Sequence, residues 1–469
     1  MEARRFADAA AGGSPEPRAP VPPRQARLHI AFVSQPRDAV DVSSEQRGSV
    51  ATITWELARR LAQRHDVTIY APQTPGQLLE ERSSEGVLVR RIPHVLRRLH
   101  RAIDRGTALL GMHPPYFTTN AFFREYALAI AQRLARDPPD VVHVQICSQF
   151  IPVIRRAVPR SRIVFHAHDE LLTRLDPPLM TRRLAMADAV VTCSDYVTYR
   201  WRERFANRRA HIFTIGNGVD LERFRPRDAD APDSREPQLL YVGRVSPEKG
   251  VHVLARAFEA VLAQVPQARL SVLGSAGLLP FNQITLLEDD PHIASLIEFY
   301  GHGVFTRLRK QVFDVRRGYV DAIRASVSPA TNARIEFHDP QEYLDLPLLY
   351  RRAALLVAPS LCAEPFGLPL AEAMASGLPV VASRSGGMPG IVEQGRTGCL
   401  VERGDVAGLA NVIIALLRDP QRLHDMSRAA RIAAEARFGW RAATERLESV
   451  YRSVNEPSVG TSAPAEPWR

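Results

Sequence analysis

A chain of 469 residues is long for one hydrophobic core, so two domains are expected. Its 45% apolar and 24% charged residues are those of a soluble globular protein, and no run approaches the roughly twenty apolar residues of a membrane span, which leaves a soluble or at most peripheral protein. The 61 Lys and Arg against 51 Asp and Glu leave a net charge of +10, which suits anionic partners; an arginine-rich surface with no such partner fits the charge equally well.

Residues 1–26, rich in Pro and Ala and lacking a continuous apolar core, read as a disordered leader and not as a secretory signal. From residue 27 strands and helices alternate. LHIAFVSQ (28–35) precedes a polar loop ending at Gly48 and a helix with Val50, Ile53, Leu57 and Leu61 on one face. The runs at 66–72, 140–145, 162–169, 188–194 and 211–217 continue as buried parallel strands, so 27–222 is expected to form one Rossmann-like domain. Between the first and second of these, residues 90–106 place Val95, Leu96, Leu99 and Ile103 on one helical face with arginines around it. An ordinary surface helix or lid is the expectation there, and peripheral contact with an anionic membrane the alternative.

The charged, Pro-rich segment 223–237 reads as an interdomain linker, and its Asp228-Ala-Asp230 as solvated charge rather than a metal site. A second alternation fills 238–430, with strands at 239–245, 268–275, 333–339, 353–360 and 380–383. Residues 276–332 interrupt it as an excursion over the cleft. A helix within 431–455 is expected to cross back to the first domain, and 456–469 to be a disordered tail. Two doubly wound α/β domains in series follow. The cysteines Cys147, Cys193, Cys362 and Cys399 form no C-x-x-C pair and read as buried reduced thiols of an intracellular protein. His143, His166 and His168 have no zinc-ligand spacing, and no metal is expected.

Two turns carry chemistry. In EPFGLPLAEAMASG (364–377) a loop after a strand opens a helix, so the backbone N–H groups of Phe366, Gly367 and Leu368 favour an anion. Gly367 lets a ligand approach the backbone closely. Glu364 and Glu372 would repel a diphosphate, and are better placed to accept hydrogen bonds from neutral hydroxyls on either side of it, as glutamate does on ribose; a loop carboxylate and a solvated helix face account for them as well. In GRVSPEKG (243–250) Arg244 and Lys249 flank a helix start, a pair suited to a diphosphate, although a surface turn has the same punctuation.

Together with ADAVVTCSDYV (187–197), IGNGVDLERFRP (215–226) and LPVVASRSGG (378–387), these motifs resemble, in order, the family 4 glycosyltransferases, retaining enzymes of the GT-B fold. The likeness spans about residues 28–452, and HVQICSQFIPVIRRAVPRSRIVFHAHDE is also similar to the spore-coat SA-type branch. The resemblance implies a metal-independent transfer of sugar from a nucleoside-diphosphate donor, UDP ahead of GDP, to an unidentified small-molecule, glycan or lipid-linked acceptor. It implies Arg244 and Lys249 on the diphosphate, Glu364 on the sugar, Glu372 on the ribose and His168 near donor sugar and acceptor. Gly48 would let the phosphate approach, and the strand around Glu336 and Phe337 would pass the base. Gly48-Ser49 replaces the family's usual Gly-Gly, and Gly390 stands where a Glu is common. The implied location is cytoplasmic, with no further cofactor and no nucleic-acid partner. A sugar-nucleotide epimerase of the same fold and a structural assembly protein are the alternatives.

Overall fold

The computed structural model describes residues 26–456 except 43–45, 47, 113, 206–210, 227–236, 288, 297–298, 300–316 and 340–344. The leader up to residue 25, the core of the expected linker with its Asp228-Ala-Asp230, and the tail from residue 457 lie outside the described residues.

The first sheet has the order β3-β4-β2-β1-β5-β6-β7-β8. Its strands are β1 (His29–Val33), β2 (Asp66–Pro72), β3 (Glu80–Arg82), β4 (Leu88–Ile92), β5 (Val141–Gln145), β6 (Arg162–Ala167), β7 (Ala189–Thr192) and β8 (His211–Thr214). All pair in parallel except β3, which runs antiparallel to β4. The central strands read as continuous apolar runs because helices cover both faces: β1 is HIAFV with four of its residues buried. The helices of this domain are α1 (Ser49–Leu61), α2 (Arg97–Leu109), α3 (Arg124–Arg136), α4 (Ile151–Ala157), α5 (Pro177–Leu184) and α6 (Asp195–Arg204). In α1, Ile53, Leu57 and Leu61 recur at the helical spacing and are all buried.

Two strands of this sheet lack the continuous apolar run of the others. β3 is the tripeptide EER at an edge, and β4 is LVRRI, whose Arg91 is buried and bonded to Glu81 at 2.8 Å.

The second sheet is wholly parallel, in the order β11-β10-β9-β12-β13-β14. It comprises β9 (Gln238–Val242), β10 (Arg269–Leu273), β11 (Ile335–His338), β12 (Leu355–Ala358), β13 (Val380–Ser383) and β14 (Gly398–Val401). Around it lie α7 (Val251–Gln264), α8 (Arg317–Ala325), α9 (Leu346–Arg352), α10 (Leu368–Ala375) and α11 (Val406–Leu417). The described part of the excursion reaches the first domain: the short helix Phe281–Ile284 packs against α2, and Arg174 is ion-paired with Asp289.

Two C-terminal helices tie the halves together. α12 (Pro420–Arg437) packs on α10, and its Arg431 donates to the carbonyls of Leu221 (3.2 Å), Phe224 (2.8 Å) and Ala375 (2.7 Å). The chain breaks at Phe438-Gly439, so the crossing helix is α13 (Trp440–Asn455), packed on α1. Its Glu448 pairs with Arg64 at 2.7 Å, and the Tyr451 hydroxyl meets His143 at 2.7 Å. Trp440 lies flat against Gly218, where an added Cβ would stand 2.3 Å from the indole ring. The Gly218→Ala substitution is therefore expected to lose about 1–3 kcal/mol in urea denaturation and to expose α13 to protease first. An unchanged midpoint would contradict this packing.

Candidate functional site

A cavity of about 350 Å³ lies between the domains, at the carboxyl ends of both parallel sheets, where open α/β folds bind ligands. From the first domain it is lined by Ser49, Val50 and Ile53 of α1, by His168 and Cys193 beyond β6 and β7, and by Asn217. Gly48 precedes α1 with φ +100°, and no side chain caps the helix. A Cβ at Gly48 would meet nothing within 4 Å, so conformation rather than space selects glycine there.

The second domain supplies Arg244, Lys249, Glu364, Phe366, Gly367, Leu368 and Glu372. Gly367, also at φ +100°, precedes α10, which again has no side-chain cap. Helix N-termini from both domains thus border one cavity with no side-chain cap among the described residues, a setting that favours an anion. In α10, Pro369 has no N–H and the Leu370 N–H donates to the Gly367 carbonyl at 2.9 Å, which leaves the N–H of Leu368 at the helix start.

Both cations are braced. Arg244 Nη2 donates to Glu248 at 2.8 Å and its Nε to Ser246 at 3.3 Å, while Ser246 donates to the same Glu248 oxygen at 2.6 Å. Glu248 is fully buried. Lys249 is hydrogen-bonded to Glu364, whose Oε1 also accepts from Ser360 at 2.5 Å. Burial opposes both charges of this pair, yet mutual attraction wins. The lysine is held above its ordinary range, and the Glu364 carboxyl is pulled below the usual one by Lys249, then Ser360 and Arg244. Glu372 is buried and accepts from the Tyr350 hydroxyl at 2.9 Å.

His168, half-buried at the cavity, heads a row that continues into the buried His166 and His143. Its Nε2 meets Gln145 Oε1 at 2.6 Å, and its Nδ1 is buried without a partner among the described residues. The ring stacks on His166 with centroids 4.0 Å apart, and His166 Nδ1 meets His143 Nε2 at 3.1 Å. Burial pushes His143 and His168 down to about 3 and His166 well below its usual value, so all three are neutral near pH 7. Ile146, directly after Gln145, has φ +58°, an unusual conformation for a β-branched residue and one that clusters at functional sites.

The structure brings Arg244, Lys249, His168, Glu364, Phe366, Gly367, Leu368 and Glu372 to one cavity, with Gly48 at its edge. It does not bring Glu336 and Phe337 there. They sit on the edge strand β11, where Glu336 pairs with Arg269 at 3.3 Å and Phe337 lies under Arg324 at 5.3 Å. Sequence reasoning assigned no part to Asn217, whose buried Oδ1 has no partner among the described residues, or to Ser360, Glu248, Gln145 and Tyr350. Asn217 and Glu248 lie inside the quoted motifs, so position within a motif was the available signal. All four cysteines are buried and free. Among the described residues no group of three His, Cys, Asp or Glu is arranged to hold a metal ion, and no helix is long and apolar enough to cross a membrane.

The depressed histidines have a consequence for stability. Between about pH 3 and 6.5 the unfolded chain takes up protons that the folded histidines refuse, so their contribution is present above that window and is lost as pH falls through it. Asp38 and Asp169, pushed up to about 6 by burial, run the opposite way, which makes a difference measurement the clean one. From pH 7 to 5 the wild type is expected to lose about 1–2 kcal/mol more than His166→Gln in urea denaturation. Equal losses would contradict a neutral buried His166.

Two family descriptions match the sequence: Glycosyltransferase Family 4 over residues 50–223, and Glycosyl transferases group 1 over residues 328–433. Spore coat protein SA of Bacillus subtilis is 23% identical over 90% of this chain and 99% of that protein. A GDP-mannose-dependent alpha-(1-6)-phosphatidylinositol monomannoside mannosyltransferase of Mycolicibacterium smegmatis is 29% identical over 88% and 96%. Among solved structures, Anabaena Alr3699/HepE in complex with UDP and glucose superposes with a TM-score of 0.62 at 18% identity, covering 91% of this chain and 100% of that one.

Proposed function

The chain belongs to the family 4 glycosyltransferases and has their GT-B fold, and from that premise we propose a retaining, metal-independent transfer of sugar from a nucleoside-diphosphate donor, UDP ahead of GDP, to an acceptor hydroxyl. One observation carries the reading: two uncapped, glycine-led helix N-termini, Arg244 and Lys249 border a single interdomain cavity. Together they supply dispersed positive potential for a diphosphate, the charge a metal ion would otherwise supply. HepE, of the same fold, is described with UDP, and the mycobacterial relative as GDP-mannose-dependent; both are consistent with a nucleotide-sugar donor.

In this reading the diphosphate leaves on the face from which the acceptor attacks. The sugar–oxygen bond to the diphosphate breaks as the acceptor oxygen bonds the same carbon, and a phosphate oxygen takes the acceptor's proton. Arg244, Lys249 and the helix N–H groups stabilise the departing charge, and positioning does the rest. Glu364, fixed by Lys249 and Ser360, accepts from sugar hydroxyls, and Glu372, fixed by Tyr350, from the ribose. Neutral His168, held by Gln145, is a hydrogen-bond partner for the sugar rather than a proton carrier.

The test needs no known acceptor, because water can take the sugar slowly. With an α-linked UDP-sugar in the presence of EDTA, NMR is expected to show the α-anomer released first. Arg244→Ala is expected to lower that rate by about 10²–10³-fold. First release of the β-anomer would overturn retention, an altered but still nucleotide-linked sugar would indicate an epimerase, and abolition by EDTA would overturn metal independence.

A further inference from the structure

Helix α2 is built inside out. An ordinary surface helix turns its apolar stripe to the core. Here the inward face carries His100, Asp104 and Ala108, all buried. His100 is held by Tyr116 at 2.7 Å and Glu125 at 2.9 Å, and Asp104 accepts from Arg37 at 2.8 Å. The apolar stripe that the sequence places on Val95, Leu96, Leu99 and Ile103 points to solvent, with Val95 90% and Leu99 52% exposed. Leu110, just past the helix, continues it at 65%.

Exposed arginines lie to one side of this stripe, Arg98 and Arg105 nearer to it and Arg101 next to the buried face. Arg98, Arg101 and Arg105 have no acidic partner within ion-pair distance among the described residues, and Asp104, the one acid of the helix, faces inward. Their charges crowd: Arg101 is pulled below its usual value by burial and then by Arg97, Arg37 and Arg105.

We propose that this face of α2 docks on an anionic lipid bilayer. The helix would lie in the plane of the interface along roughly 20 Å, its leucine and isoleucine side chains at the acyl boundary and its guanidinium groups on lipid phosphates. A second copy of the chain fits the same face poorly, because a two-fold contact sets arginine against arginine. Since α2 packs against Phe281–Ile284 of the second domain, the contact lies where the two domains meet. The inference does not depend on the donor reading above.

Full-length protein is sedimented with vesicles of phosphatidylcholine alone and with vesicles carrying about 30% phosphatidylglycerol. Binding to the anionic vesicles only is expected, weakened at least ~10-fold by Arg98→Ser/Arg101→Ser/Arg105→Ser and likewise by Leu99→Ser/Ile103→Ser. The variant Arg160→Ser/Arg428→Ser/Arg446→Ser, with the same change in net charge on exposed sites elsewhere, is expected to bind as the wild type does. No wild-type binding overturns the proposal, and so does an equal loss in the two arginine triples, which would reduce it to overall charge. A dimer in sedimentation velocity that Leu99→Ser/Ile103→Ser dissociates, without vesicle binding, also overturns it and makes the face a self-association surface.

Discussion

Two helices from different domains begin at the same cavity with no side-chain cap among the described residues, and the rest of the molecule is arranged around that fact. Unclaimed donors at a helix start are costly to bury, so such ends are capped, hydrated or given to a ligand. Capping is absent at both, and each is led by a glycine at φ +100°. For the two ends to act on one ligand the domains must keep a fixed relation. Arg431 on three carbonyls, Trp440 pressed on Gly218 and the seating of α13 on α1 provide it. The crossing helix is in this sense part of the site, although none of its side chains lines the cavity.

The carboxylates around the cavity look at first opposed to anion binding. Their partners resolve the conflict. Glu248 is spent on Arg244 and Ser246, Glu364 on Lys249 and Ser360, and Glu372 accepts from Tyr350. Arg244 is held by the buried Glu248 and Lys249 by Glu364, which itself lines the cavity, and both pairings limit side-chain freedom before any ligand arrives. Preorganised charge of this kind is what stabilises a leaving group without reorganisation at the moment of reaction. A more positive cavity made of free lysines would attract a diphosphate more strongly from a distance but would orient it less well.

Much of this was legible in the sequence where chemistry and periodicity coincide. Apolar runs gave the central strands, and the two turns gave the cations, the glycine-led helix start and the glutamate pair. What was not legible has physical causes. β3 is a polar edge tripeptide, and the apolar residues of β4 are interrupted by Arg90 and by Arg91, which is buried against Glu81, so neither shows the alternation or apolar run that marks a strand. Tyr350, Ser360 and Gln145 act on site residues only through tertiary contact, and no local spacing announces them. Glu336 and Phe337 were placed by analogy of position alone, and the edge location of β11 keeps them from the cavity. The orientation of α2 was the least legible feature: an apolar stripe in sequence says that a helix is amphipathic, not which face the fold will bury.

The central claim, that this cavity holds a nucleoside diphosphate between two helix ends and a ribose carboxylate, is tested most directly by calorimetric titration of UDP, GDP and ADP into the wild type and into Glu372→Ala. The claim predicts that one nucleotide binds with a Kd on the order of micromolar and at least ~10-fold more weakly to the variant. If no nucleotide binds the wild type, or if the preferred one binds Glu372→Ala equally well, the cavity is not the donor site described here.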